Sequence, residues 1–456
     1  MNPQNTDNKH NQKPGTELKQ LKTKKMNMKK SGILITLFLS GILLFTSCNK
    51  DENGNNNNNQ PSEAQTAWSK DLAFPVNPAI GQNYMPAIDE NDHIYILSSD
   101  YNNGYAIQAF DKDGAELWSK TNNSASPHHN MPTCFQGKLF FTSNQKVVCL
   151  NASDGNQLWE YNLPDSMLSI SSSIAIAQQK VLITLERETA EHSYLFALNP
   201  NDGSVAGALA ITRDRVWLNM AAYGNTVYLA SGYLYKVTVN ADGSMNLDWS
   251  VQLPGDDPTY YFNFEKDMVI ASNGNVTFAY GELANPSMDI LISYNNQGQK
   301  LWEYERPYAS RITLDEQGHV YDGGINDLIK IDGLTGQKSW AVEPPSESEY
   351  ISMGSFTSMI HAKDENMYCG GVYGIYGANY SGQIKYAAYA STIGIDNATP
   401  FTDITLLSNG NIIVMTMGED GGNGKIHCIK ADTKGISANG WPKRGADAAN
   451  TFNASL

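Results

Sequence analysis

One pattern recurs along the chain: a polar Asp/Asn turn, a glycine, three residues, then tryptophan. Its clear copies are AFDKDGAELWSK (109–120), CLNASDGNQLWEYN (149–162), SYNNQGQKLWEYE (293–305) and KIDGLTGQKSWAVE (330–343). Weaker copies are ALNPNDGSVAGALAI (197–211), VTVNADGSMNLDWSVQ (237–252), GANYSGQIKYAAY (377–389) and CIKADTKGISANGW (428–441), which makes eight. The Trp or its substitute falls near 118, 159, 207, 249, 302, 340, 386 and 441, at intervals of 38 to 55 residues. A unit of that length, repeated, has to be a supersecondary structure that buries its apolar face against its neighbours.

Each unit reads as four short strands. An apolar stretch such as MPAID or NMAAY leads to a turn. A β-rich run follows (HIYILSS, KLFFTS, TVYLAS, HVYDGG, NIIVMT), and a third run such as YAIQAFD or KVVCLN ends in the Asp/Asn-Gly turn. The Trp strand closes the unit. Period-two alternation bounded by turn residues marks strands, and no long helical period follows residue 66. The expected fold is all-β: an eight-bladed β-propeller of four-stranded antiparallel blades, closed into a ring that removes exposed sheet edges.

The repeat residues then have a structural task. Glycine permits the turn between the third and fourth strands. Tryptophan buries its ring between neighbouring blades, where its N–H needs an acceptor. The residues expected to join blade to blade are Gly114, Trp118, Gly155, Trp159, Trp249, Gly298, Trp302, Gly336 and Trp340. Blades lacking Trp, near Gly207 and Tyr386, are expected to pack less well. The last blade lacks a fourth strand, and TAWSKDL (66–72) is a fourth strand with no first three. It is expected to complete that blade, so that its loss is costly.

The front end is different. Residues 1–31 hold eight lysines against Asp7 and Glu17, and Gly32–Ser47 (GILITLFLSGILLFTS) is an apolar run ending at Cys48. Sixteen residues are short for a membrane span. A basic region, an apolar region and small residues at the end are the layout of a secretory signal. LFTSC resembles a bacterial lipobox, which implies lipid attachment at Cys48. A start at Met26 or Met28 gives a signal of ordinary length. The following NKDENGNNNNNQPSEAQ has no apolar residue with which to form a core and reads as a flexible tether. KDE (50–52) resembles the export signal of surface lipoproteins in the Bacteroidetes. The expected division is 1–47 extension and signal, 48–65 lipidated cysteine and tether, 66–456 propeller, with the chain anchored to the outer membrane on either face.

Setting aside the eight lysines and two acids of residues 1–31, the chain's 32 basic and 47 acidic residues become 24 and 45, a net charge of −21. Such a surface does not suit nucleic acid or anionic lipid. Cys134, Cys149, Cys369 and Cys428 sit in apolar strand-like stretches and read as buried free thiols, with a Cys369–Cys428 bridge between neighbouring repeats as the alternative.

The signatures AFDKDGAELW, CLNASDGNQLW and KIDGLTGQKSW resemble the ALD-x-x-TG-x-x-x-W repeat of the PQQ-like propellers. GWPKRGADAANT (440–451) is similar to that family's WPMFRHDAQNT segment. The resemblance covers about residues 66–451 and implies the fold. For function it implies two branches. Quinoprotein dehydrogenases carry pyrroloquinoline quinone and Ca²⁺ on the axis, often with a vicinal disulfide and with an Asp base and Glu/Asn calcium ligands. This chain has no Cys-Cys pair and no CxxCH, and no such set can be placed in it. The other branch includes the cofactor-free propeller lipoprotein of the outer-membrane barrel-assembly machinery, which shares the lipobox, the tether and the eight repeats.

Other motifs dissolve. DKDG (111–114) begins like a calcium loop, but its twelfth position is Asn122. His128 and His129 are adjacent, so on a strand they point to opposite faces. The first strands of the blades are expected to line the axis, with their leading loops forming a funnel rim rich in aromatics, Asn and Ser, suited to sugar or peptide. The candidate ligand residues are Tyr84, His129, Asn130, Trp217, Asn219, Tyr260, Tyr261 and Arg311. The expectation is a monomeric, non-catalytic binding or scaffold module for protein or glycan, with no cofactor and no metal. The alternatives are a PQQ/Ca-dependent dehydrogenase and a glycan-active enzyme, which needs two facing carboxylates in the funnel.

Overall fold

The computed structural model describes residues 65–454, apart from 77–83, 101–103, 124–130, 144, 165–166, 171–172, 188–192, 213–218, 255–259, 262–266, 283–284, 308–310, 325–326, 344–358, 372–373, 396–400, 419–421, 432, 444 and 448–449. The chain divides into Met1–Asn57 and Asn58–Leu456, and all described residues lie in the second unit. They form eight antiparallel sheets and no helix.

Each sheet is one blade. Blade 1 consists of Ala87–Ile88, Ile94–Asp100, Gly104–Phe110 and Glu116–Asn122, each strand paired to the next. The following blades begin with first strands at Thr133–Phe135, Ala175–Ala177, Asn219–Tyr223, Met268–Ile270, Ile312–Leu314, Ile360–His361 and Thr405–Leu406. In blades 3 and 5 the innermost position is shared with a second short strand, Met167–Ile170 and Tyr260–Tyr261, that pairs to the same neighbour. The sequence-based count of eight four-stranded blades holds.

The ring closes as the orphan strand predicts. Gln65–Asp71 pairs antiparallel with Lys425–Lys430, placing Trp68 opposite Cys428, so blade 8 takes its first three strands from one end of the propeller and its fourth from the other. A second tie joins blade 8 to blade 1: Asp92 accepts from Ser408 N at 2.8 Å and Ser408 Oγ at 2.5 Å.

An apolar cluster fills every interface between neighbouring blades. Between blades 1 and 2, for example, Leu97, Ile107 and Trp118 meet Leu139, Phe141 and Val148. Burying surfaces of this size is the main favourable term in a fold without helices.

At the outer edge the Trp set does what its spacing implies. The indole N–H of Trp118 donates to Ala152 O at 2.9 Å, Trp159 to Pro200 O at 3.0 Å and Trp302 to Gly333 O at 2.9 Å, in each case in the next blade. Trp249 reaches Asn296 O at 3.0 Å and Trp340 reaches Tyr380 O at 3.1 Å. The repeat glycines have a second reason to be glycine besides their turn. A Cβ on Gly155 would lie 2.5 Å from the Trp118 ring, and one on Gly203, Gly298, Gly336 or Gly382 would lie 2.6–3.2 Å from the preceding blade's Trp.

One assignment needs correction. Trp441 is not the docking residue of the eighth copy. Trp68 fills that role, donating to Lys112 O at 3.0 Å, with its ring against Gly114. The reason is topological: after the third strand of blade 8 the chain does not turn into a fourth, because residues 65–71 already hold that edge.

Candidate functional site

The chain beyond blade 8 runs instead along the first strands. Ile436 bridges to Ala362 of blade 7, and Ser437 N donates to His361 O at 2.8 Å. Trp441 bridges to Leu314 of blade 6, and His361 N donates to Pro442 O at 2.7 Å. Further on, Thr133 of blade 2 donates its hydroxyl to Asn450 O at 3.0 Å. Ile176 N of blade 3 donates to Thr451 O, and Ala222 N of blade 4 to Phe452 O, both at 2.8 Å. A segment that touches the first strands of so many blades lies in the space those strands surround. Residues 436–453 are therefore an axial plug.

Two asparagines are its hubs. Asn450 Nδ2 lies 3.0 Å from Pro132 O, 3.3 Å from Pro86 O and 3.4 Å from Met85 O, joining blades 1 and 2. Asn453 Nδ2 donates to Ile176 O at 2.8 Å and Gly224 O at 3.0 Å, while its Oδ1 accepts from Gly224 N at 3.0 Å. Both residues are fully buried. Inner strands present unpaired backbone groups to the axis, and buried backbone groups need partners. A carboxamide offers donors and an acceptor together, which suits a position facing several blades.

Charge is also concentrated near the axis. Arg311, at the start of blade 6's first strand, lies with Nη1 2.5 Å from Oδ1 of Asp403, just before the first strand of blade 8. Lys443 of the plug is 1% exposed and bonds to Asn450 Oδ1. Burial pulls its pKa down to about 7, against the opposing pull of Asp447 and Asp403.

A polar network fills the seam between blades 6 and 7. His361 is fully buried, with Nε2 2.8 Å from Thr313 Oγ1 and Nδ1 3.1 Å from the Tyr380 hydroxyl. Burial lowers its pKa to about 4. Tyr321 donates to Asp315 at 2.9 Å, and Lys330 lies 3.3 Å from that carboxylate and 5.1 Å from the Tyr321 ring centroid. Asp315 also accepts from the backbone of Gln317 and His319. Blade 1 repeats this device: Asp89 accepts from Asn91 N, His93 N and the Tyr95 hydroxyl. The pair DENDHIY (89–95) and DEQGHVY (315–321) is thus a second internal repeat that orders the turn after the first strand. His427 sits likewise between Ser69 Oγ at 2.8 Å and Thr416 Oγ1 at 2.9 Å, and burial lowers its pKa to about 4.

The predicted rim residues fare unequally. Tyr84 is buried among Leu72, Val76 and Ile88 at the blade 8–blade 1 interface, with no face open to a ligand. Asn219 opens the first strand of blade 4 and is half-buried. Tyr260 and Tyr261 lie on an inner strand of blade 5 whose side chains are outside the described set, as are His129, Asn130, Trp217 and Cys48. Among the candidates, only Arg311 is brought onto a described axial contact, and Asp403, Lys443, Asn450 and Asn453 join it there without having been singled out. GWPKRGADAANT was the available signal for two of these four, Lys443 and Asn450.

Cys134, Cys149, Cys369 and Cys428 are unpaired and buried. Burial raises the thiol pKa to about 12 at Cys134 and Cys149 and to about 11 at Cys428, so none is a ready nucleophile. Among the described residues no three His, Cys, Asp or Glu side chains converge as a metal-ligand cluster. Among the described residues near the axis, Lys443, Asn450 and Asn453 are buried and bonded to one another or to the first strands, and they offer no carboxylate set for a quinone's calcium. These residues do not fit that cofactor.

A ring of eight four-stranded blades, six of them docked by tryptophan onto the next blade's turn, defines a PQQ-like propeller. The chain belongs to that family: the family model described as Outer membrane protein assembly factor BamB matches residues 60–253 and 102–317. A search of curated proteins gave no match. BamB from Moraxella catarrhalis is similar in structure, at 15% identity, covering 81% of this chain and 100% of that one with a TM-score of 0.55. The quinohemoprotein alcohol dehydrogenase ADHIIG from Pseudomonas putida HK5 has 12% identity, 84% and 78% coverage and a TM-score of 0.57. A europium-containing methanol dehydrogenase has 10% identity, 81% and 93% coverage and a TM-score of 0.58. At these identities the likeness is one of fold.

Proposed function

We propose that this protein is a cell-envelope lipoprotein whose propeller binds or scaffolds another macromolecule and turns over no substrate. The observation that carries this reading is the axial plug. Among the described residues of 441–453, Trp441, Lys443, Asn450, Thr451 and Asn453 are buried against the first strands or one another, which leaves the loops at the channel mouth as the place for a partner. The family description, an assembly factor of the outer membrane, points the same way.

In this reading Cys48 carries the lipid, residues 49–64 are the tether, and the propeller is held at the outer membrane without a spanning segment. The partner is a protein or a glycan, met through His129, Asn130, Trp217, Asn219, Tyr260, Tyr261 and Arg311. Flat aromatic faces with amide hydrogen-bonding groups suit either. Tyr84 leaves the set because its ring belongs to the core.

The test is an affinity pull-down of the full lipoprotein from gently solubilised outer membranes. Stoichiometric recovery of barrel-assembly components makes it a periplasmic scaffold; recovery of surface transporters makes it outward-facing. Dye reduction on adding pyrroloquinoline quinone and Ca²⁺ would overturn the non-catalytic reading.

A further inference from the structure

A buried lysine normally faces a carboxylate, because an unpaired ammonium in the interior costs several kcal/mol. Lys443 does not. Among the described residues it makes no ion pair, and its Nζ bonds to the side-chain oxygen of Asn450. The two residues face each other across the tip of the plug, where Ala446 and Asn450 both adopt left-handed backbone conformations, with φ of 72° and 58°. Burial leaves the amine largely able to shed its proton near neutral pH.

The surroundings of Asn450 are unusual in a second way. Its Nδ2 has three carbonyl oxygens within 3.4 Å, those of Pro132, Pro86 and Met85. A planar carboxamide nitrogen has only two N–H donors. Two N–H donors cannot serve three acceptors with one bond each, so this nitrogen is crowded by carbonyl oxygens. The same loop carries Asp447, whose charge opposes the fall in the Lys443 pKa and which accepts from Thr451 N at 2.9 Å and Thr451 Oγ at 2.5 Å.

We propose that Lys443 and Asn450 form an intramolecular isopeptide bond that locks the axial plug. The neutral Nζ attacks Cγ of Asn450, forming the N–C bond. A proton passes from Nζ to Nδ2 within the tetrahedral adduct. The Cγ–Nδ2 bond then breaks and ammonia leaves, with Oδ1 once more a carbonyl oxygen. No oxidant, metal or second molecule takes part. The product is a secondary amide that cannot ionise, which removes the problem of an unpaired buried ammonium.

The experiment is peptide mass spectrometry on a digest of the full-length folded protein. The expected result is resistance to trypsin after Lys443 and a peptide joining Lys443 to Asn450, lighter than the sum of its parts by about 17 Da, the mass of ammonia. Lys443→Met should restore the full mass. Asn450→Asp should still cross-link, now losing water. Ordinary cleavage at Lys443 with an unmodified Asn450 peptide overturns the proposal. So does a mass loss that survives Lys443→Met, which would be a succinimide at Asn450. The wild-type digest decides the matter even where a variant fails to fold.

Discussion

The outer edge of the propeller and its axis solve the same problem, joining blades, in opposite ways. At the edge one device is used again and again: a tryptophan donates to the next blade's turn and lies on its glycine, at Trp68, Trp118, Trp159, Trp249, Trp302 and Trp340. At the axis nothing repeats. Asn450 serves blades 1 and 2, and Asn453 serves blades 3 and 4. A chain visits each outer edge once per blade, so the solution can be copied with the repeat. The first strands reach the axis in every blade, but the C-terminal segment that ties them together passes there once, so its contacts differ from blade to blade.

The largest expected effect comes from cutting the ring where edge and terminus meet. Deleting residues up to Asp71 removes the fourth strand of blade 8, Trp68 and the Ser69–His427 bond together. The cooperative unfolding transition should be lost, and amide exchange over Lys425–Lys430 should become unprotected. A deletion that unfolds like the parent would mean that the axial plug alone closes the ring.

Asn453→Ala tests the axis. It removes a fully buried side chain together with its bonds to Ile176 O, Gly224 O and Gly224 N. At about 1 kcal/mol for each of three lost hydrogen bonds, the cost should be about 3 kcal/mol, read from the urea midpoint. A cost under about 1 kcal/mol would mean that water replaces the side chain and that the plug is loosely held.

Legibility in the sequence divides along the same line. The eight blades, the Trp–Gly docking and the closing strand 65–71 were all readable, because repetition let each copy check the others. The plug was not. GWPKRGADAANT stood out as a family-like segment, yet Trp441 was assigned to a blade because nothing in an unrepeated stretch says which strands it will meet. Burial misled at Tyr84, which precedes a first strand and reads as rim but packs between blades 8 and 1. Lys443 and Asn450 are seven positions apart in a polar loop, and only the fold shows that both are buried.

Acid should loosen the seams next. His361 and His427 both have folded pKa values of about 4, below the ordinary 6.5, because burial penalises the charged ring. Neither costs anything above pH 6.5. As pH falls below that, the unfolded chain takes up protons that the folded chain refuses, and stability drops until about pH 4. Each histidine should cost about 3 kcal/mol by then. Urea midpoints from pH 7 to 4 should therefore fall less steeply in His427→Gln, which keeps hydrogen-bonding groups for Ser69 and Thr416. A slope identical to wild type would place His427 in contact with water.

The smallest effect isolates the docking itself. Gly137 and Gly155 lie in the same blade with the same φ of 68°. A Cβ on Gly137 meets nothing within 4 Å, whereas one on Gly155 meets the Trp118 ring at 2.5 Å. Gly137→Ala should therefore cost only the left-handed backbone, about 1 kcal/mol. Gly155→Ala should cost that plus the displaced indole and its bond to Ala152 O, about 3 kcal/mol in all. The difference between the two midpoints measures the docking contact with the backbone term cancelled. Equal costs would mean that the repeat glycine is there for its turn alone and that the edge is held by the apolar clusters beneath it.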